Sequence, residues 1–182
     1  MNEEMTIKAG MRQIKTLGEE IVATLQLLQK HSADFENESP VYKDQPEQVK
    51  RWEQSVKDKV AEIENLTMRV YLTNISTYAE IEVVKGKKKI TKRISEWVLR
   101  RQKLCAYVEG IYVAMSDRGL RDKEIKNSSG GVENIKVRRY YDSAERDEKL
   151  MTAKAEAGRI DSGLEDYNAT VKLLVLPTEN AS

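Results

Sequence analysis

Between Thr91 and Gly119 the apolar residues Ile94, Trp97, Leu104, Val108, Ile111 and Met115 recur at alternating steps of three and four, with Arg101 filling the one missing step. That spacing draws a single stripe along an α-helix and fits a strand badly, because strand side chains alternate with period two. It predicts one long amphipathic helix whose seam packs on other helices. Tyr107 and Tyr112 flank the seam, and Val98 and Val113 widen it, so more than one partner helix is expected. Cys105, the only cysteine, lies beside the seam and is read as a small buried hydrophobe.

The other segments extend the same pattern. From Thr6 to about His31, Ile7, Met11, Ile14, Leu17, Ile21, Leu25 and Leu28 mark a first helix, interrupted by Gly10 and Gly18. Each glycine weakens a helix by roughly 1 kcal/mol relative to alanine, so packing must hold it. Residues 32–43 are polar and contain a proline, which predicts a loop between antiparallel helices. Asp44, Pro46 and Glu47 form a helix start, with Asp44 expected to cap through its side chain. Val49, Trp52, Val56, Val60, Ile63, Leu66 and Val70 then give a second helix, completing a hairpin over 6–71.

Past residue 77 the period changes. Ala79, Ile81 and Val83 alternate with Tyr78, Glu80, Glu82 and Val84, predicting a strand that ends in the turn Lys85-Gly86-Lys87-Lys88. Thr91 is a plausible cap for the central helix. Residues 121–131 are expected to form a mobile loop, and 132–141 a second strand. Asp142, with Glu145 three residues on, opens a fourth helix with the seam Leu150, Ala153, Ala157, Ile160, Leu164 and Tyr167. Val171–Leu176 is expected to be a third strand closed by Pro177. The predicted architecture is mainly α: four long antiparallel helices, bundle- or coiled-coil-like, with a small three-stranded sheet at one end. Residues 1–182 are read as one elongated helical domain.

Residues suited to catalysis or metal binding are scarce in the sequence. His31 is the only histidine, expected at a helix C-terminus where the dipole favours it. One histidine and one cysteine cannot build a zinc site or a diiron bundle. No phosphate-binding glycine loop, G-x-S-x-G or H-E-x-x-H occurs. No catalytic residue, cofactor or metal is therefore expected. No run approaches the roughly 18 apolar residues of a membrane span, and the expected setting is the cytoplasm when the chain is made.

Two segments are candidate interaction surfaces. Lys85, Lys87, Lys88, Lys89, Lys92 and Arg93, followed by Arg100, Arg101 and Lys103, concentrate positive charge in a chain of net charge +1. Such a cluster can hold nucleic-acid phosphates, or it can pair with acidic surface on a neighbouring helix or subunit. The apolar run Val171, Lys172, Leu173, Leu174, Val175, Leu176 is either an internal strand or an edge offered to another chain.

The 6–71 hairpin, the glycine turn followed by Ile90-Thr91 and a long helix, and the closing stretch from Leu164 to Leu173 resemble the septicolysin-like family of small, mostly helical bacterial and phage proteins. In that family a final helix ends in Asn before a short strand, which Asn168, Thr170 and Leu173 match. The Trp that often follows the Asn is Ala169 here. The resemblance implies no catalytic residues. The expectation is a non-catalytic structural protein, a homo-oligomer or part of a larger assembly such as a phage virion (capsid, connector or tail accessory). The alternative is a nucleic-acid-associated accessory protein using the basic cluster.

Overall fold

The computed structural model describes residues 5–117, 119–126 and 132–176. The chain is mainly helical, in the order α1 (Ile7–His31), α2 (Gln45–Ser76), β1 (Tyr78–Ile81), β2 (Ile90–Arg93), α3 (Ile94–Leu99), a π-helical turn (Arg100–Leu104), α4 (Cys105–Ala114), β3 (Lys123–Lys126), β4 (Val132–Ile135) and α5 (Ser143–Thr170). Its internal contacts divide it into two units. One comprises Met1–Tyr78, Arg93–Ser95 and Glu165–Ser182; the other comprises Ala79–Lys92 and Glu96–Leu164.

In the first unit α1 and α2 form the predicted antiparallel hairpin. Gln13 meets Glu62 near one end, Lys59 reaches Glu20 further along, and His31 lies against Trp52 at the other. Thr6 caps α1 by accepting the Ala9 N–H at 3.2 Å. Asp44 makes no side-chain cap; only its carbonyl accepts, from Gln48. Gln45 closes the hairpin instead, donating to the His31 carbonyl and accepting the Tyr42 N–H. That clamp folds the 32–43 loop back, and His31, at the C-terminus of α1 as expected, is buried at the edge of Tyr42 and beside Trp52.

The C-terminal segment belongs to this unit. The expected third strand does not form: Lys172 makes only an isolated bridge to Thr6. The Ile7 N–H donates to Val171, Leu173 donates to Met5, and Leu174 donates to the Thr73 hydroxyl, while Arg69 donates to the Leu174 carbonyl. Met5 and Thr6 lead directly into α1 at Ile7, and the other partners lie on α1 and α2, so the pairing stops at a single bridge. Leu173 is buried over Gly10, where an added Cβ would fall 2.7 Å from Leu173 Cδ1. Gly10 is therefore a seat for the chain end, not simply a weak spot in α1.

In the second unit β1 begins as predicted, with Ala79, Ile81 and Val83 buried. Its partner is β2, where the sequence predicts the entry to the central helix. Thr91 thus sits in a strand, its hydroxyl donating to Glu80, and is not the cap of the central helix. Gly86 at φ 75° provides the left-handed position that the turn needs, with Lys87 N–H donating to Val84. The second sheet is the antiparallel pair β3–β4, from Lys123 opposite Ile135 to Lys126 opposite Val132. The three-stranded sheet is thus replaced by two two-stranded ones. Residues 123–126, expected as loop, form β3, and the predicted strand 132–141 stops at Ile135. Residues 127–131 of the expected loop and Pro177 lie outside the described residues.

The central helix and α5 run antiparallel, linked by Arg100 to Glu156, Arg101 to Asp161 and Arg146 to the Met115 carbonyl. Asp142 caps α5, accepting the Glu145 N–H at 2.9 Å. The α5 seam is buried or half-buried at every predicted position. Gly163 lets it close on Ile81, since an added Cβ would lie 2.9 Å from Ile81 Cγ1 and 3.0 Å from Cδ1 and Cγ2. Trp97 is fully buried and donates its indole N–H to the Ala79 carbonyl at 3.0 Å.

Candidate interaction surfaces

The central helix is not continuous α-helix. α3 and α4 join through a π-helical turn at Arg100–Leu104. A π turn inserts one residue, so every later residue takes the position of the one before it. Ile94 and Trp97, upstream, are buried as the seam requires. Downstream the inward positions pass to Cys105, which is buried, and to Val108, Glu109 and Tyr112, which are half-buried. The seam residues Leu104, Ile111 and Met115 are turned outward, 39%, 53% and 36% exposed, and so is Tyr107 beside them, at 70%. The turn also lets adjacent Arg100 and Arg101 both reach acids of α5, where Glu156 is buried. Two neighbouring arginines at the break in the seam are the only sign of this in the sequence.

The outward face of α4 carries almost no charge. Glu109 is the only charged residue from Cys105 to Ala114, and it faces Lys154 at 4.0 Å. Beside the large residues runs a row of small ones, Ala106, Gly110 and Ala114, all exposed; a Cβ on Gly110 would meet nothing within 4 Å. At the end of α4, Ala114 and Met115 line a cleft of about 420 Å³ with Leu120, Val137 and Tyr140.

The same cleft holds a polar knot absent from the sequence reading. Asp117 accepts two hydrogen bonds from Arg139, at 2.8 and 2.6 Å, and one from the Tyr141 hydroxyl at 2.9 Å. The Arg139 and Tyr141 hydrogen bonds hold the Asp117 carboxyl down to about 2 and raise the Tyr141 phenol above its ordinary value. These three hydrogen bonds tie the segment after α4 to Arg139 and Tyr141. Burial, then Glu156, pushes the Cys105 thiol above its usual range. Among the described residues no group of three His, Cys, Asp or Glu could hold a metal, and no helix is long and apolar enough to cross a membrane.

The sequence-predicted cluster splits in two. Arg100 is drawn into the helix–helix contact, while Lys92 lies over the Trp97 ring at 5.4 Å and Arg93 over Tyr78 at 5.7 Å. Lys85, Lys87, Lys88 and Lys89 remain on the exposed β1–β2 turn without an ion pair among the described residues, and Lys103 is likewise exposed and unpaired. Of the terminal run, Leu173 is buried and Val171 and Leu176 are half-buried, while Leu174 and Val175 keep exposed side chains. Its backbone pairs within the chain.

No family model matches the chain, and no curated protein matches it. A structural comparison finds the crystal structure of a functionally unknown conserved protein from Corynebacterium diphtheriae, at 17% identity and a TM-score of 0.55, covering 93% of this chain and 99% of that one. At that identity the likeness is one of fold: this chain shares a helical architecture, over nearly its full described length, with the Corynebacterium protein.

Proposed function

We propose that this protein is a non-catalytic helical subunit of a larger protein assembly. The observation that supports the reading is the α4 face. Leu104, Tyr107, Ile111 and Met115, four large apolar side chains, are exposed along it among the described residues, and exposed apolar surface of this kind marks protein–protein contact. The absence of an expected catalytic constellation in the sequence agrees with it. The setting we propose is a phage particle, as capsid, connector or tail accessory; the long helical seams, the separated charge and the apolar terminal run of the sequence support it. The test is sedimentation of the chain at native abundance from its source lysate. Migration in a complex much larger than 20.9 kDa is expected; migration as the free chain refutes the assembly reading.

A second reading is favoured by one specific observation, the four unpaired lysines of the β1–β2 turn. A nucleic-acid accessory role predicts salt-sensitive binding, because each phosphate contact releases a counterion. Replacing Lys87, Lys88 and Lys89 by Glu abolishes it. Retention of DNA or RNA by that triple variant would exclude the role.

A further inference from the structure

We infer that the segment after β4, residues 136–141, is a contact for single-stranded nucleic acid; the inference rests on the nucleic-acid reading and names the form of the strand. Side chains of this segment divide by alternation, as those of an extended chain do. The inner set is fastened. Val137 is half-buried and its N–H donates to Asp122 at 2.8 Å, while Arg139 and the Tyr141 hydroxyl both donate to Asp117. Fixing those three leaves the alternate set, Lys136, Arg138 and Tyr140, facing solvent. All three are exposed, Tyr140 at 90%. Lys136 and Arg138 make no ion pair among the described residues.

Charge favours an anionic occupant. Of the nearby acids, Asp117 is paired with Arg139 and Asp122 accepts from Val137, and exposed Glu124 on β3 is outweighed by exposed Arg121 and Lys123. The aromatic ring then decides which anion. An acidic protein surface would use the cations alone, and a duplex keeps its base faces stacked inside. An unpaired strand uses both features, its phosphates meeting the cations and a base stacking on the ring. Beside Tyr140 lies the cleft of about 420 Å³ lined by Ala114, Met115, Leu120 and Val137. Its size and apolar lining suit a small planar group, so a base lying on the ring has an apolar bed next to it.

The experiment is fluorescence anisotropy of the purified full chain with labelled oligothymidylate and oligouridylate of about 16 nucleotides, against a duplex of the same length. Wild type is expected to bind a single strand, of either sugar, more tightly than the duplex. Tyr140→Ala should weaken that binding about tenfold and Tyr140→Phe should leave it unchanged. Neither variant alters charge, so a contact made by cations alone cannot give this pattern. Arg138→Gln should lower the salt dependence. Tyr140 is exposed enough for both variants to keep the fold, which thermal melting checks. Full-strength binding by Tyr140→Ala, or a duplex bound as tightly as the single strands, overturns the inference, while the triple lysine variant still decides the nucleic-acid reading. Polyglutamate bound as tightly as the oligonucleotides makes the occupant an acidic protein and overturns it too. A wild-type chain that binds neither strand nor duplex overturns both.

Discussion

Gly163 and Gly158 lie five residues apart in the interior of α5, yet alanine should act on them in opposite directions. In open helix the change gains about 1 kcal/mol from backbone propensity. At Gly158 nothing lies within 4 Å of the new Cβ, so that gain is kept. At Gly163 the Cβ arrives within 3.0 Å of three Ile81 carbons, and Ile81 is 3% exposed. A β-branched side chain has little rotamer freedom with which to yield, and such overpacking costs about 1–3 kcal/mol. The propensity term cancels between the two variants, so their stabilities should differ by about 1–3 kcal/mol. At a urea slope of about 2 kcal/mol/M the midpoints separate by about 1 M. The assay is urea unfolding followed by Trp97 fluorescence in a Trp52→Phe background, since Trp97 reports the unit that holds both glycines. Measured in an Ile81→Ala background, the loss from Gly163→Ala should largely disappear, a coupling that distant sites lack. Equal stabilisation by both alanines, or a double mutant showing no coupling, would mean that Ile81 does not rest on α5.

Other outcomes follow from the same contacts. Arg100→Met strands the buried Glu156 carboxylate and should destabilise by about 1–3 kcal/mol, while Arg100→Met with Glu156→Met recovers most of it; chemical denaturation measures both. The Asp117 carboxyl is held below its unfolded value, so its contribution is present above about pH 4 and fades as pH falls towards about 2. Asp117→Asn should flatten the acid limb of thermal stability between those values; an unchanged limb would refute the knot. Cys105 should react with maleimide far more slowly in the native chain than in urea, and fast native labelling would contradict its burial.

Sequence alone determined the rods. Helical spacing, the Asp142 cap and the polar 32–43 stretch place α1, α2 and α5 and the α1–α2 hairpin, because local periodicity and capping are properties of neighbouring residues. The α5 seam from Leu150 to Tyr167 was legible for the same reason, as was the buried alternation of Ala79, Ile81 and Val83. Pairing was not. Short strands such as Ile90–Arg93 and Lys123–Lys126 owe their state to a partner across a turn, and Val171–Leu176 lacks the strand its composition suggests because its hydrogen bonds go to Met5, Ile7, Arg69 and Thr73. Tertiary structure also decided which side of the central helix faces inward. One inserted residue at Arg100–Leu104, placed where two arginines meet Glu156 and Asp161, rotates everything downstream by about 100°. A stripe that reads as core from Ile94 to Met115 is therefore core at its start and surface at its end.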